Sequence, residues 1–180
     1  MTDTSVEVEF LGGCYNRLPN TELSKLLHAC LNEAPQDSWT DEEKQYASEL
    51  NLTKKEAHNR LLALHDLPRD MQLHEGVLPI TSIDNFGSSD VGDVQHIVPG
   101  ASFSTASFNL GAPGHSWQMS ACSGHSIGMK GMIYAAKTIA LFGLKMIENP
   151  DILKAAQDEF AKAMGGKSYI CPIPPELPVP

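Results

Sequence analysis

Apolar and polar side chains alternate along Ser5–Leu11, with Val6, Val8 and Phe10 on one side and Glu7 and Glu9 on the other. That period of two predicts a half-buried strand at a sheet edge, ended by Gly12 and Gly13. The period then changes. Leu23, Leu26, Leu27, Cys30 and Leu31 recur at helical spacing and predict an amphipathic helix over Thr21–Glu33. Asn20 is its N-cap, and Glu22 sits in the positive first turn. Thr40 with Glu43, and Thr53 with Glu56, each have capping-box spacing. They predict two further helices, reaching about Leu50 and about Leu64. Both helices are strongly polar, which predicts a solvated pair with His58, His65 and His74 at the surface.

Residues 66–79 read as an irregular connection, and Val77–Ile83 as a short strand. Ala101–Leu110 sets Phe103, Thr105, Ser107 and Asn109 in alternation with small residues and predicts a strand within a sheet. Ser126–Ile147 is apolar around most of a helical circumference, with Lys130, Lys137 and Lys145 marking a narrow polar stripe. A helix of this kind is expected to lie on a sheet, largely buried. Asn149, Pro150 and Asp151 open a last helix that runs to Met164, where Gly165 and Gly166 stop it. The Pro-rich tail from Cys171 is extended and carries no chemistry.

Composition narrows the function classes. The chain has 180 residues, which suits one domain. It carries 13 basic and 22 acidic residues, a formal net charge of −9, which argues against a nucleic-acid or anionic-membrane surface. Asp3, Glu7 and Glu9 leave no room for a secretion signal at the N-terminus. The three lysines in the long apolar run argue against a membrane span. The four cysteines stand far apart with no CxxC pair, so reduced thiols in a cytoplasm are the expectation.

Two stretches carry candidate chemistry. In Leu110–Met132, His115 follows Pro113-Gly114 and precedes Ser116-Trp117, so a tight turn delivers an imidazole that can serve as a metal ligand or an acid–base group. The same residue also reads as an ordinary loop histidine. Cys122 and His125 form no recognised ligand set with it. In Gly87–Asp93, Asp90 and Asp93 are placed to share a helix face. They read either as acids at a helix start capped by Ser88 or Ser89, or as a polar site wall.

Strands and helices in this order give an α/β or α+β arrangement. Its strands are few, however, for a helix as apolar as Ser126–Ile147, and the surplus apolar surface points to a partner, a dimer or a larger parent chain. A hydrolytic metal site needs about three protein ligands and a base, and only His115 stands out as a ligand.

The ordered blocks VEVEFLGGCYNRLPN, GSSDVGDVQHIVPG, LGAPGHSWQ and IGMKGMIYAAKTIA resemble the C-terminal part of aminobenzoyl-glutamate utilisation protein B-type amidohydrolases. These belong to the aminoacylase/carboxypeptidase metallopeptidase family. The resemblance runs from about Ser5 to Met164. It implies an α/β fold: the C-terminal half of a metallopeptidase-type catalytic domain, a sheet flanked by helices, preceded by the last strand of a lid or dimerisation domain. The lid would end at residue 19, the catalytic part would span 20–166, and 167–180 would be a tail. His115 matches the family's last metal-ligand histidine. Ser88, Asp90 and Asp93 match a segment that lines the substrate pocket. The family holds two divalent metals, zinc or manganese, and cleaves an amide bond to an amino acid such as glutamate. Its bridging Asp, catalytic Glu and other ligands precede the lid and have no counterpart here, so the resemblance places no catalytic base in this chain. Met129 also departs from a His found in relatives. The implied reading is one part of a metal-dependent amidohydrolase, acting with the N-terminal half of the enzyme or as a homo-oligomer on a small amide. The alternative is a non-catalytic remnant or oligomerising domain with no metal bound.

Overall fold

A computed structural model describes residues 2–81 and 87–177. Among them are seven helices: α1 (Thr21–Glu33), α2 (Asp41–Leu52), α3 (Lys55–Leu64), α4 (Val91–Gln95), α5 (Trp117–Ser123), α6 (Ser126–Glu148) and α7 (Pro150–Met164). None of the described residues is in a strand. The expected α/β fold, with a sheet flanked by helices, is therefore overturned, and so is the lid strand at Ser5–Leu11. The physical reason is that a strand exists only as half of a ladder. No backbone hydrogen bond ties 5–11 to another described segment. Val6 and Val8 are 86% and 85% exposed, not half-buried. Ala101–Leu110 makes one such bond, Leu110 N–H to Gln72 O at 3.1 Å, which does not build a ladder. Residues 77–81 are irregular, and the rest of the Val77–Ile83 strand lies outside the described residues.

The helical reading fares better because caps and periodicity are local. Asn20 caps α1 through Oδ1, which accepts the Leu23 N–H at 3.0 Å. The Thr40–Glu43 capping box closes in both directions, at 3.2 and 2.8 Å. The second box does not form. Thr53 Oγ1 instead donates to Leu50 O at 2.6 Å and closes the end of α2, while Lys54 starts α3 with no side-chain cap. Two left-handed glycines, Gly165 and Gly166, terminate α7 as expected.

The chain divides into two compact units. The first comprises residues 1–24, 81–101 and 151–180, and holds α4 and α7. Here Asn20 Nδ2 donates to Ala156 O at 2.8 Å, and the Glu159 carboxylate receives the first two N–H groups of α1. Gly92 of α4 lies so close to the chain at Tyr15 that an added Cβ would sit 2.1 Å from Tyr15 O.

The second unit comprises residues 25–80 and 102–150 and carries α2, α3, α5 and α6. Its core joins Trp39, Ala47, Leu50, Leu73, Cys122 and Ile127, with Tyr46, Ala106 and Phe108 packed on them. His58, expected at the surface, is buried, and its Nε2 pairs with Met71 O at 2.8 Å. The expectation that α6 is largely buried also fails. Ile127, Gly131, Tyr134 and Thr138 are buried, but Met132, Ile139 and Ile147 are 57%, 58% and 80% exposed.

Candidate functional site

His115 stands in the second unit at the tip of the turn that joins residues 102–110 to α5. Its φ is +56°, a left-handed backbone that is uncommon for a side chain with a Cβ. The ring is exposed and has no hydrogen bond, ion pair or ring contact among the described residues. A rigid frame holds the turn. Asn51, at the end of α2 and 2% exposed, accepts at Oδ1 from Asn109 Nδ2 (2.7 Å) and from Gly111 N–H (2.8 Å). Its own Nδ2 donates to Gln72 O and to Gln72 Oε1. Gly111 is required there, because a Cβ would lie 2.8 Å from both Asn51 Oδ1 and His58 Cβ. Beyond the turn, Gln118 Nε2 donates to Thr53 Oγ1 at 3.0 Å and fixes α5. Both anchors, Asn51 and Thr53, come from the same end of α2.

Energetic cost is concentrated in this turn. Besides the left-handed His115, the Ser116 Oγ and Gln118 Oε1 atoms are buried with no hydrogen-bond partner among the described residues. A buried polar atom left unpaired costs roughly 1–3 kcal/mol. Three such features within four residues mark a segment whose sequence is not set by stability alone.

The Gly87–Asp93 block falls in the first unit. Ser88 and Asp90 are exposed. Ser89 Oγ accepts the Val91 N–H at 3.3 Å, so the helix-start reading of this block holds locally. Asp93 has both oxygens engaged: Oδ2 accepts the Tyr15 N–H at 3.1 Å, and Oδ1 accepts the Tyr169 hydroxyl at 3.0 Å. The Tyr15 ring lies 4.5 Å from the His96 ring and 5.5 Å from the Tyr169 ring. Partial burial, reinforced by the Asp93 charge and hydrogen bond, pushes the Tyr169 phenol up to about 12. Asp93 thus ties three separate stretches of the unit together.

One polar cluster that the sequence pattern does not single out lies in the second unit. Glu43 is 3% exposed. It receives Lys130 Nζ at 2.7 Å, the Ser126 hydroxyl at 2.6 Å and the Thr40 N–H at 2.8 Å. Burial opposes its ionisation, but these donors and the Lys130 charge outweigh burial and hold its carboxyl at about 2. Lys130 also bonds Ser38 O at 2.8 Å and lies 5.6 Å from the Trp39 ring centroid. Glu43 was legible as a capping residue, but its pairing with a lysine 87 positions away was not. His125 caps α6 through Nδ1 and stacks on Tyr46 at 4.4 Å, so it is a structural residue.

Among the described residues, no three His, Cys, Asp or Glu side chains are grouped to hold a metal ion. A catalytic divalent ion takes three protein ligands. The described residues therefore do not form such a site by themselves, and His115 is a single imidazole.

The chain is 31% identical, over 191 residues, to the B-type polypeptide of the p-aminobenzoyl-glutamate hydrolase of Escherichia coli (strain K12), one of the subunits of that enzyme. The match covers 97% of this chain but only 39% of that protein. The resemblance carried by the four sequence blocks is thus shown along nearly the whole chain, and it is consistent with a C-terminal part of such an enzyme. No protein-family profile matches the chain. No solved structure matches it.

Proposed function

We propose that this chain is one part of a metal-dependent amidohydrolase that cleaves an amide bond to an amino acid in a small aminobenzoyl-glutamate-like substrate, an N-acyl amino acid or a dipeptide. The likeness to a hydrolase polypeptide along 97% of the chain supports the hydrolase class. The observation that carries the site is His115. It is an unpartnered imidazole on a left-handed backbone, in a turn framed by buried amides and bearing two orphaned polar atoms.

On this reading His115 supplies one ligand to a zinc or manganese ion whose other ligands and base come from a complementing hydrolase polypeptide. Bound there, the metal would activate water and polarise the amide carbonyl. This chain's own contribution is positional. The Asn51 frame and the Gln118–Thr53 bond hold the segments on either side of the turn, which lowers the cost of ordering the His115 backbone for binding. Within the first unit, Ser88, Asp90 and Asp93 are the residues proposed to contact substrate. Of these, Asp93 acts through Tyr15 and Tyr169 rather than as a free carboxylate, while Ser88 and Asp90 are exposed. The four free cysteines suit a reducing cytoplasm.

Co-expression with the part of the E. coli polypeptide that this chain does not span, supplied with zinc or manganese, tests the reading. Glutamate release from p-aminobenzoyl-glutamate is expected from the wild-type pair and is expected to fall at least a hundredfold with His115→Ala. Equal turnover with and without the His115 imidazole would refute the assignment.

A further inference from the structure

α6 wears its amphipathicity inside out. All three of its lysines turn toward their own unit. Lys130 pairs with Glu43, Lys137 bonds Pro35 O at 3.3 Å and lies 3.9 Å from Asp37, and Lys145 pairs with Glu33. The same side carries Tyr134, whose hydroxyl donates to Leu31 O at 2.6 Å, and Gly131, whose missing Cβ would sit 2.3 Å from Ser107 Oγ. The opposite side is Met129, Met132, Ile133, Ala136, Ile139, Ala140, Leu144 and Ile147, every one exposed. These positions fall at steps of three and four, so they form one continuous stripe. The helix has 23 residues and is therefore about 35 Å long. The stripe holds no charge, and small residues at 136 and 140 sit between larger ones at both ends, so another backbone can approach closely at its middle. An apolar surface of this extent marks an interaction site.

We infer that this stripe is a docking surface for the complementing hydrolase polypeptide, and so the inference rests on the function proposed above. Three observations favour that occupant. The chain spans 39% of the matched hydrolase polypeptide, so most of such a protein has no counterpart here to cover the stripe. A second copy of this chain carries the same net charge of −9, so long-range repulsion opposes self-association. The His115 turn and α6 are close in sequence and in the same unit, joined only through α5, so one partner can cover the apolar stripe and meet the imidazole. α6 also has the length and composition of a membrane-crossing helix, yet its three lysines are committed to polar partners within the unit.

The test is whether the tagged full chain captures the co-expressed remainder of the E. coli polypeptide, with Ile139→Glu and His115→Ala in parallel. Ile139 is 58% exposed, so its charged variant leaves the isolated chain's circular dichroism and unfolding midpoint unchanged. Capture by wild type and His115→Ala, with Ile139→Glu weakening it at least tenfold, supports the docking surface. Capture without glutamate release keeps the surface and removes the proposed activity. Capture or turnover indifferent to Ile139→Glu removes the surface and leaves the activity standing. Failure of wild type to capture the remainder overturns the inference. So does a dimer of the isolated chain that Ile139→Glu dissociates, or Ile139-dependent binding to phosphatidylcholine vesicles.

Discussion

The side-chain amide of Asn109 donates to Oδ1 of Asn51 across 2.7 Å, both residues being almost wholly buried. The bond joins the last turn of α2 to the segment that delivers His115, and the same oxygen receives Gly111 N–H. One acceptor thus fixes both sides of the bend at Leu110. Asn51→Ala removes that acceptor and leaves two buried donors unpaired, so it is expected to lower unfolding stability by about 3 kcal/mol. Urea denaturation measures it. A loss no larger than that of an exposed control such as Asn32→Ala would show that the amide does not organise the turn.

Replacing His115 separates stability from function. Glycine adopts a φ of +56° without the Cβ clash, so His115→Gly is expected to raise stability by up to about 1 kcal/mol. His115→Val should lower it by a similar amount, because a β-branched side chain suits this backbone least. The same glycine variant should abolish glutamate release in the co-expressed pair. Thermal melts and the hydrolysis assay together check both halves.

Glu43 makes stability pH-dependent on the acid side. Its folded-state carboxyl is held at about 2, below the ordinary value of 4.5. A group depressed in this way contributes fully above its unfolded value, and the contribution is lost as pH falls from about 4.5 towards 2. The shift corresponds to roughly 3 kcal/mol at neutral pH. Glu43→Gln should flatten the stability profile between those limits. A variant with the same acid slope as wild type would show that the Lys130 and Ser126 contacts do not hold the carboxylate.

Tyr169 reports on the Asp93 cluster at the alkaline end. Its phenol is pushed up to about 12, by burial first and then by the Asp93 hydrogen bond and charge. Its neutral form is favoured in the fold, so the stability from this pair is complete below the ordinary value of 10 and is lost as pH climbs through about 12. Ultraviolet titration of the native chain should leave this tyrosine un-ionised until the last step. Asp93→Asn should bring that step down, and an unchanged curve would contradict the tie.

The helices were legible because their signals lie within four residues of one another. Asn20, the Thr40–Glu43 box and the paired glycines after Met164 act locally and needed no partner. Thr53 shows the limit. Its spacing to Glu56 is that of a cap, but its hydroxyl donates one turn back to the Leu50 carbonyl, and its oxygen accepts from Gln118, 65 positions away, instead of from the start of α3. His115 was legible as a residue delivered by a turn. Its left-handed backbone and the Asn51 frame were not, because Asn51 and Asn109 are 58 positions apart.

The order of residues by itself determined where α1, α2, α6 and α7 lie and which positions of α6 are charged and which apolar. It also carried the likeness to a hydrolase. Only the tertiary structure decided that the alternating stretches at Ser5–Leu11 and Ala101–Leu110 build no ladder among the described residues, because a ladder depends on a second strand and not on the pattern of one. Only it decided which side of α6 faces inward. Periodicity defines a stripe on a helix, but a lysine turns toward the body of the protein only where Glu43, Asp37 and Glu33 wait to receive it.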